Sequence, residues 1–300
     1  VQLVREIIMK ICIIGGSGMI GSKMVQFFSK MGHEVISTFH TNEMSNFTNT
    51  HRLDITNKDA TVNFLEKNNP EVIIHTSAIA NIDLCETNKD LAYLVNVKGT
   101  ENVIEGCKQI KAKLAYVSTS YVFDGKKDEY FEDDKPSSST YYGYTKLKGE
   151  EAVIKSGLSH LILRIDQPYC WIEPWQHTNS VVRVFETLKS DKILHEVEDW
   201  YNTPTYVHDI VLVASELIKK KSEGIFHLVG SDFINRYNWS IEVAKIFNLD
   251  HTNIKPINSK KLNVQVKRSN INLKNFKVKE EINLKMKGIS EGAIAMLNEI

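Results

Sequence analysis

The sequence predicts a doubly wound α/β fold, in which helices cover both faces of a parallel sheet. Two observations support this prediction. Short, almost continuously apolar segments alternate with segments of helical spacing in the first half of the chain, and a glycine-rich turn separates the first strand from the first helix. Strands of a parallel sheet are buried on both faces, so they are apolar throughout rather than alternating. We expect the sheet to form a large domain, residues 1–166.

Five strands and four helices are predicted for this domain. Each strand is a run rich in Ile, Val and Leu, and each helix repeats apolar residues at intervals of three or four. The predicted strands are 10–16, 32–39, 71–78, 113–123 and 160–165, and the predicted helices are 19–31, 57–67, 89–109 and 141–156.

The rest of the chain is less regular, because prolines divide it into short segments. Its predicted strands are 193–197 and 225–229, and its predicted helices are 179–189, 208–221, 238–247 and 290–298. We expect a smaller mixed α/β substrate lobe, residues 167–300, that is partly interleaved with the last elements of the sheet. Met9 is the expected natural start, with residues 1–8 outside the folded core.

The composition is that of a globular protein without a dominant charge. Lys and Arg total 37 and Asp and Glu total 37, so the formal net charge is zero and no long-range field attracts nucleic acid. No apolar run reaches the roughly 18 residues that indicate a membrane span. The four cysteines have no C-x-x-C spacing. We therefore expect a cytoplasmic protein without a metal site, in which the acidic run at 132–134 is a solvated loop.

The segment IIGGSGMIG follows the first strand and opens the first helix. Gly15, Gly18 and Gly21 form a G-x-x-G-x-x-G run. In dinucleotide-binding proteins, the first glycine of such a run makes the tight turn and the second lets the backbone approach the pyrophosphate. The third glycine lets the helix pack closely on the strand, and the N-terminus of the helix binds the phosphates. The predicted cofactor contacts here are Gly15, Ser17, Gly18, Met19, Ile20 and Gly21.

The end of the second strand indicates which dinucleotide binds. An acidic residue at this position would hold the adenosine ribose of NAD, but the segment STFHTN at 37–42 contains none. A 2′-phosphate would not be repelled, which favours NADPH, with NAD as the alternative. His40 is either a cofactor contact or a plain surface histidine. Asp54 and Ile55 are predicted near the adenine, although Asp54 could instead cap the next helix.

Hydroxyl groups cluster where the fourth predicted strand ends. The segment YVSTSYVFDG places Ser118, Thr119 and Ser120 in a row. A doubly wound fold holds its site at the carboxyl ends of the strands, so these hydroxyls are candidate ligand contacts. The alternative is a strand end whose hydroxyls are satisfied within the protein.

The helix containing YYGYTKLKGE supplies a tyrosine and a lysine. Tyr142 and Lys146 are four positions apart and therefore share a helix face. Tyr141 and Tyr144 point in other directions. Combined with Thr119, the pair forms a candidate group for proton transfer, and the alternative is an ordinary amphipathic helix.

These segments together resemble an extended short-chain dehydrogenase/reductase with a Rossmann-like fold, and they are most similar to the dTDP-4-dehydrorhamnose reductase family. The resemblance extends over nearly the whole chain. Further matching segments are 77–86, 94–103, 199–210, 224–232 and 266–273.

The resemblance implies NAD(P)H-dependent reduction of the 4-keto group of a nucleotide-linked deoxysugar. Tyr142 would donate a proton to the substrate oxygen, with its pKa lowered from the ordinary value of about 10. Lys146 would supply a positive charge and bind the nicotinamide ribose. Thr119 would hydrogen-bond the carbonyl oxygen.

The resemblance also implies further contacts with the two ligands. Ser77 and Ala78 would flank the cofactor at the end of the third strand. Tyr121 would lie near the sugar, with Ser120 and Gln167 also on the substrate side.

Three departures from the family pattern lie on this substrate side. Ser120 stands where the family usually has Asp, and Gln167 replaces a tryptophan that would form a wall of the sugar site. Trp200 and Asn202 stand where the family often has Gln and Gly. These departures leave the identity of the sugar nucleotide open and the reduction chemistry intact.

Two other functions remain open at this point. An epimerase of the same superfamily would hold its NAD tightly, and a non-catalytic subunit similar to the regulatory subunit of methionine adenosyltransferase would use the fold for partner contact. A dehydratase is disfavoured, because Ser120-Tyr121 replaces the Asp-Glu pair that such an enzyme uses. A homodimer is compatible with the sequence, which indicates no interface.

Overall fold

The computed structural model describes residues 8–44 and 47–300. The expectation about the first eight residues therefore falls largely on residues 1–7, which lie outside the described residues. Ile8 is exposed. In the described ranges, no helix combines the length and the apolar character needed to cross a membrane.

The strands, in chain order, are β1 (Lys10–Ile14), β2 (Glu34–Phe39), β3 (Thr50–Arg52), β4 (Val72–His75), β5 (Lys113–Thr119), β6 (His160–Ile165), β7 (Pro168–Tyr169), β8 (Leu194–Val197), β9 (Tyr201–Asn202), β10 (Thr205–Tyr206), β11 (Gly224–His227), β12 (Ile234–Asn235) and β13 (Ile254–Ile257). The helices are α1 (Met19–Lys30), α2 (Lys58–Asn68), α3 (Ile82–Thr87), α4 (Lys89–Tyr93), α5 (Gly99–Ile110), α6 (Tyr141–Lys155), α7 (Ser180–Lys189), α8 (Val207–Lys219), α9 (Arg236–Ile246), α10 (Phe276–Ile282) and α11 (Ile289–Leu297).

A seven-stranded parallel sheet forms the centre of the molecule, with the strand order β11-β6-β5-β4-β1-β2-β3. Its strands are buried on both faces. Ile11 and Ile13 of β1 pack in the cluster that contains α1, α8 and α10, whereas Cys12 and Ile14 pack in the cluster that contains α2, α5 and α6. The predicted doubly wound α/β fold is confirmed.

The strand order reverses between β1 and β4, which places a crevice at the carboxyl ends of these two strands. Ligands of open α/β sheets bind at such a switch point. The glycine-rich turn after β1 and the loop after β4 both open into this crevice, so the fold positions the candidate site here.

Most predicted elements are confirmed, and two of the differences have simple physical reasons. β3 was missed because it has three residues, on an edge of the sheet. The helix predicted at 89–109 is continuous but contains a π-helical turn, Leu94–Lys98, between α4 and α5. Such turns often occur at functional positions, and this one contains the buried Asn96.

The chain after residue 166 contributes to both parts of the molecule. β11 pairs with β6 at the edge of the sheet, and α8 packs against the sheet. A separate core joins α7, α9 and α11 with the parallel pair β8 and β13. The division of the chain at residue 166 stays a prediction.

The expectation that the acidic run at 132–134 is a solvated loop is wrong for Glu132. This side chain is buried, and its Oε1 accepts the backbone N–H of His227 at 2.9 Å. Burial raises the pKa of the carboxyl group. In the part of the chain that the structure describes, no group of three or more His, Cys, Asp and Glu side chains could hold a metal ion.

Candidate active site

Two of the three predicted glycines are required by the geometry of the turn after β1. Gly15 has φ +83°, and a Cβ there would lie 2.9 Å from the backbone nitrogen of Ser77. A Cβ on Gly21 would lie 2.3 Å from the carbonyl oxygen of Gly15. Any other residue at either position would therefore displace backbone.

The N-terminus of α1 is suited to a bound anion. Gly18 is its N-cap residue, and in the described chain no side chain caps the helix. The first turn contains no acidic residue. The free backbone N–H groups and the positive end of the helix dipole therefore face the crevice. These features fit the diphosphate of a dinucleotide.

Basic groups lie where the adenosine end of a dinucleotide is expected. Arg52 Nε donates to the carbonyl oxygen of His40 at 3.3 Å, and His40 Nε2 lies 3.9 Å from Asp54. Asp54 accepts hydrogen bonds from Thr56, which lower the pKa of its carboxyl group. The helix-cap interpretation of Asp54 is wrong, because Asn57 caps α2. Sequence reasoning missed Arg52, which becomes a neighbour of His40 only through the pairing of β2 with β3.

Ile55 and Ser77, two predicted cofactor contacts, lie in different surroundings. The Ile55 side chain is buried, with Cδ1 2.7 Å from the position that a Cβ on Gly99 would take. Ile55 thus packs in the core, and its contact with the cofactor stays a prediction. Ser77 contributes through its backbone, which lies against Gly15.

Asn96 anchors the loop after β4 to α6. Its Oδ1 accepts the Ile79 N–H at 2.8 Å, and its Nδ2 donates to Thr145 Oγ1 at 3.0 Å. Thr145 Oγ1 in turn donates to the carbonyl oxygen of Tyr142 at 2.7 Å. The loop that carries Ala78 is therefore held in register with the helix that carries Tyr142.

The three predicted catalytic residues line one cavity, of about 280 Å³, together with Gly18 to Gly21 and Ala78. Tyr142 is 9% exposed and Lys146 is 3% exposed. Tyr144 is 40% exposed on another face of α6. The Thr119 side chain lies near the Tyr142 side chain in this cavity. Tyr142 thus lines the cavity, whereas Tyr144 does not, and the catalytic role of Tyr142 stays a prediction.

The expectation that the pKa of Tyr142 is lowered is wrong. Burial raises this pKa above the ordinary value of 10, because removal of water disfavours the phenolate, and this effect outweighs the lowering effect of the Thr119 side chain. The phenol is therefore protonated at neutral pH. This is the state that a proton donor requires.

Burial lowers the pKa of Lys146 to about 7, opposed by the negative charge of Glu150. Lys146 Nζ lies 4.0 Å from the centroid of the Tyr116 ring. Glu150 is itself buried and accepts hydrogen bonds from Arg164 at 2.8 and 3.0 Å and from Ser118 at 2.5 Å. The Ser118 hydroxyl is thus satisfied within the protein rather than free for a ligand.

Replacement of Lys146 by Met is expected to stabilise the fold most strongly at low pH. The pKa is about 7 in the folded chain against 10.5 for an ordinary lysine, so the charged form is penalised below pH 7. As the pH rises from 7 to 10.5 the unfolded chain binds more protons, and the stability of the wild type rises. We expect K146M to exceed the wild type by a few kcal/mol in the free energy of unfolding at pH 6.

Urea unfolding between pH 6 and pH 10 checks this expectation. The difference should shrink as the pH rises. Lys148→Met is the matched control, because Lys148 is a partly exposed lysine on the same helix that pairs with Glu151. A difference between K146M and the wild type that is independent of pH would contradict the assigned pKa.

Asp166, which sequence reasoning did not select, lies beside the predicted substrate contact Ser120. Ser120 Oγ donates to its Oδ1 at 2.9 Å, and Thr203 donates to its Oδ2 through N at 2.7 Å and Oγ1 at 3.1 Å. Burial raises the pKa of Asp166 to about 6. The available signal was a carboxylate directly after the apolar strand β6.

Gln167 borders three adjoining cavities, including the one that contains Tyr142. Its φ of +39° is in the left-handed region, where a side chain other than glycine is strained. Such strain is typical of ligand sites. Its Oε1 accepts a hydrogen bond from Arg236. The substrate contact of Gln167 stays a prediction.

A cavity of about 320 Å³ lies next to Gln167. Arg236, Arg268 and Tyr121 also line this cavity. Arg268 Nη2 lies 2.6 Å from Asp83 Oδ2, and its guanidinium lies 5.9 Å from the Trp200 ring. Arg236 enters from the start of α9. Sequence reasoning missed both arginines, because no local spacing connects them with Tyr142.

A family model described as the RmlD substrate binding domain matches residues 9–300. The chain is 29% identical over 266 residues to methionine adenosyltransferase 2 subunit beta of Rattus norvegicus, which covers 85% of this chain and 78% of that protein. It is 28% identical over 241 residues to a dTDP-4-dehydrorhamnose reductase of Aggregatibacter actinomycetemcomitans, which covers 78% of each chain.

Among solved structures, the chain is similar to the dTDP-4-dehydrorhamnose reductase of Bacillus anthracis in complex with NADP. The TM-score is 0.88 at 23% identity, over 98% of this chain and 100% of that chain. This similarity shows that the two proteins share a fold. The match to the family model extends through both the sheet and the smaller core, and it confirms the resemblance predicted from the sequence. The chain therefore belongs to the RmlD substrate binding domain family.

Proposed function

We propose that the chain is an NADPH-dependent reductase that acts on the 4-keto group of a nucleotide-linked deoxysugar. One observation carries this proposal: Thr119, Tyr142 and Lys146 share a cavity with the uncapped N-terminus of α1. A site for a dinucleotide diphosphate and a group suited to proton transfer are therefore adjacent, as a carbonyl reduction requires.

NADPH fits the glycine-rich turn, and when bound it supplies the hydride for the reduction. Gly15 makes the tight turn, Gly21 lets α1 pack closely against that turn, and Gly18 to Ile20 would present N–H groups to the diphosphate. His40 and Arg52 favour a 2′-phosphate at the adenosine end, which supports NADPH over NADH. NADH is the alternative cofactor.

The protein's own groups would carry the proton step. Tyr142 donates its phenolic proton to the substrate oxygen as the negative charge develops there, and Thr119 donates a hydrogen bond to the same oxygen. Protonated Lys146 stabilises the resulting tyrosinate and binds the ribose of the cofactor. Burial strengthens these interactions, because the Tyr142 and Lys146 side chains are shielded from water.

The two arginines next to the cavity suit the diphosphate of a sugar nucleotide. Arg268 and Arg236 border the same space as Gln167 and Tyr121, so a sugar beside Tyr142 would place its diphosphate near both guanidinium groups. Arginine binds phosphate oxygens through charge-assisted hydrogen bonds. The relative from Aggregatibacter actinomycetemcomitans is described as a dTDP-4-dehydrorhamnose reductase.

Replacement of Arg268 by Ala is expected to raise the dissociation constant for a nucleoside diphosphate about tenfold or more, because one charge-assisted hydrogen bond is lost. The dissociation constant for NADPH should not change. Titration calorimetry with dTDP and UDP measures the first effect, and titration with NADPH measures the second. Arg268→Lys should retain part of the affinity, and Lys274→Ala serves as a control that removes an ion pair elsewhere. Unchanged nucleotide affinity in R268A would exclude this diphosphate site.

A regulatory subunit is the second candidate function. It is favoured by the relatives described as methionine adenosyltransferase 2 subunit beta, one of which is 29% identical to this chain. Such a protein would bind a cofactor and a partner without turnover. Consumption of NADPH with a panel of 4-keto-6-deoxy nucleotide sugars distinguishes the two. Turnover supports the reductase, whereas cofactor binding without turnover on every sugar favours the regulatory role.

A further inference from the structure

Residues 170–179, which connect β7 to α7, lie against the glycine-rich turn; we call them the covering loop. Trp175 Nε1 donates to the carbonyl oxygen of Ser17 at 3.2 Å, and Gln176 Nε2 donates to the same oxygen at 3.0 Å. Gln176 Nε2 also lies 3.0 Å from Ser22 Oγ in the first turns of α1. Side chains of the second half of the chain thus bind the backbone of the dinucleotide turn directly.

The orientation of the Ser17 carbonyl group affects anion binding at the N-terminus of α1. Ser17 immediately precedes Gly18, the N-cap residue of α1, and so lies just outside the regular hydrogen bonds of the helix. A carbonyl oxygen that turned towards the crevice would repel an anion at the helix N-terminus. Two N–H donors that converge on this oxygen hold it towards the covering loop instead.

The covering loop is itself anchored at both ends. Asn179 caps α7 by accepting the N–H groups of Val181 and Val182, each at 3.1 Å, and its Nδ2 donates to the Cys170 carbonyl oxygen at 2.7 Å. Asn42, which follows β2, donates to the Trp175 carbonyl oxygen at 3.5 Å. The loop therefore reaches from the α1 N-terminus towards the adenosine end of the site.

A cavity of about 530 Å³ lies between the covering loop and the turn. Ser17, Gly18 and Met19 line one side, and Trp175 and Gln176 line the other. This volume is in the range of small-ligand and cofactor pockets. A dinucleotide whose diphosphate binds the α1 N-terminus would be enclosed between the two.

We infer that Trp175 and Gln176 are positioning residues of the cofactor site: their side-chain N–H groups orient the Ser17 peptide so that the α1 N-terminus accepts a dinucleotide diphosphate. The covering loop then limits cofactor escape. This inference rests on one part of the proposed function, the binding of a dinucleotide.

The test uses the purified full chain and binding alone. Trp175→Phe keeps the ring and removes the N–H group, and Gln176→Leu keeps the approximate size and removes the amide. Trp171→Phe is the matched control, because the Trp171 indole donates to the Met296 carbonyl oxygen at 2.7 Å in the smaller core. Calorimetry and stopped-flow nicotinamide fluorescence give the dissociation constant and the dissociation rate of NADPH.

We expect each of W175F and Q176L to raise the dissociation constant of NADPH about tenfold, the equivalent of roughly one net hydrogen bond. Most of the change should appear as faster dissociation. The affinity for adenosine 2′-monophosphate, which lacks both phosphates of the bridge, should be unchanged, and W171F should behave as the wild type in every measurement.

Two results would overturn the inference while the proposed cofactor stands. One is wild-type NADPH affinity in both W175F and Q176L, and the other is an equal loss of affinity for NADPH and adenosine 2′-monophosphate, which would indicate a general structural effect. A wild-type chain that binds neither NADPH nor NADH would instead overturn the proposed function, and the inference with it.

Discussion

Tyr142→Phe is expected to lower kcat about a thousandfold, within the range that general acid catalysis contributes. The variant removes the phenolic proton and keeps the ring. The centroid of this ring lies 6.1 Å from the centroid of the Tyr121 ring. The dissociation constant of NADPH should therefore stay within about threefold of the wild-type value. Steady-state rates with the active sugar nucleotide, and calorimetry with NADPH alone, measure the two quantities.

Tyr144→Phe is the matched control for this variant, because it makes the same change two positions along α6 on a more exposed face. It should retain wild-type kcat. A fully active Y142F would refute the assignment of the proton donor, and so would a Y142F whose only defect is in NADPH binding.

Gly18→Val is expected to weaken NADPH binding a hundredfold or more. Within the described chain, a Cβ at this position would meet the Gly15 carbonyl oxygen at 3.3 Å and no other non-neighbouring heavy atom within 4 Å. The fold should therefore persist. The branched side chain would occupy the space where a diphosphate approaches the helix N-terminus. Hydrogen bonds from backbone N–H groups to phosphate are charge-assisted, so the loss of one such bond has a large effect on affinity.

Ala60→Val is a suitable control for G18V, since it introduces the same side chain in the first turn of another helix, α2, at an exposed position. Circular dichroism should show that both variants are folded. If G18V binds NADPH with the wild-type dissociation constant, the glycine-rich turn is not the diphosphate site.

The features that could be predicted from the sequence are those set by local pattern. The strands of the sheet are nearly continuous apolar runs, and the turn after β1 needs glycine at positions 15 and 21 because of its own backbone geometry. The shared face of Tyr142 and Lys146 follows from helix periodicity alone. These features were sufficient to predict the fold and the pair on α6.

Other features depend on tertiary contacts and could not be read from local pattern. The raised pKa of Tyr142 follows from its burial, and the buried position of Glu132 follows from its contact with His227. Asp166 becomes relevant only because Ser120 and Thr203 converge on it. Contacts between residues that are far apart in the sequence leave no periodic or compositional signal.

Transfer of deuterium from NADPH labelled at the hydride position tests the central claim most directly. Purified chain, labelled NADPH and a 4-keto-6-deoxy nucleotide sugar are incubated, and the sugar product and the oxidised cofactor are quantified by mass spectrometry. The reductase predicts one deuterium at C4 of the product for each NADP⁺ formed, and loss of both in Y142F. An isomerised sugar without net cofactor oxidation, or a bound cofactor with no label transferred to any sugar, would contradict it.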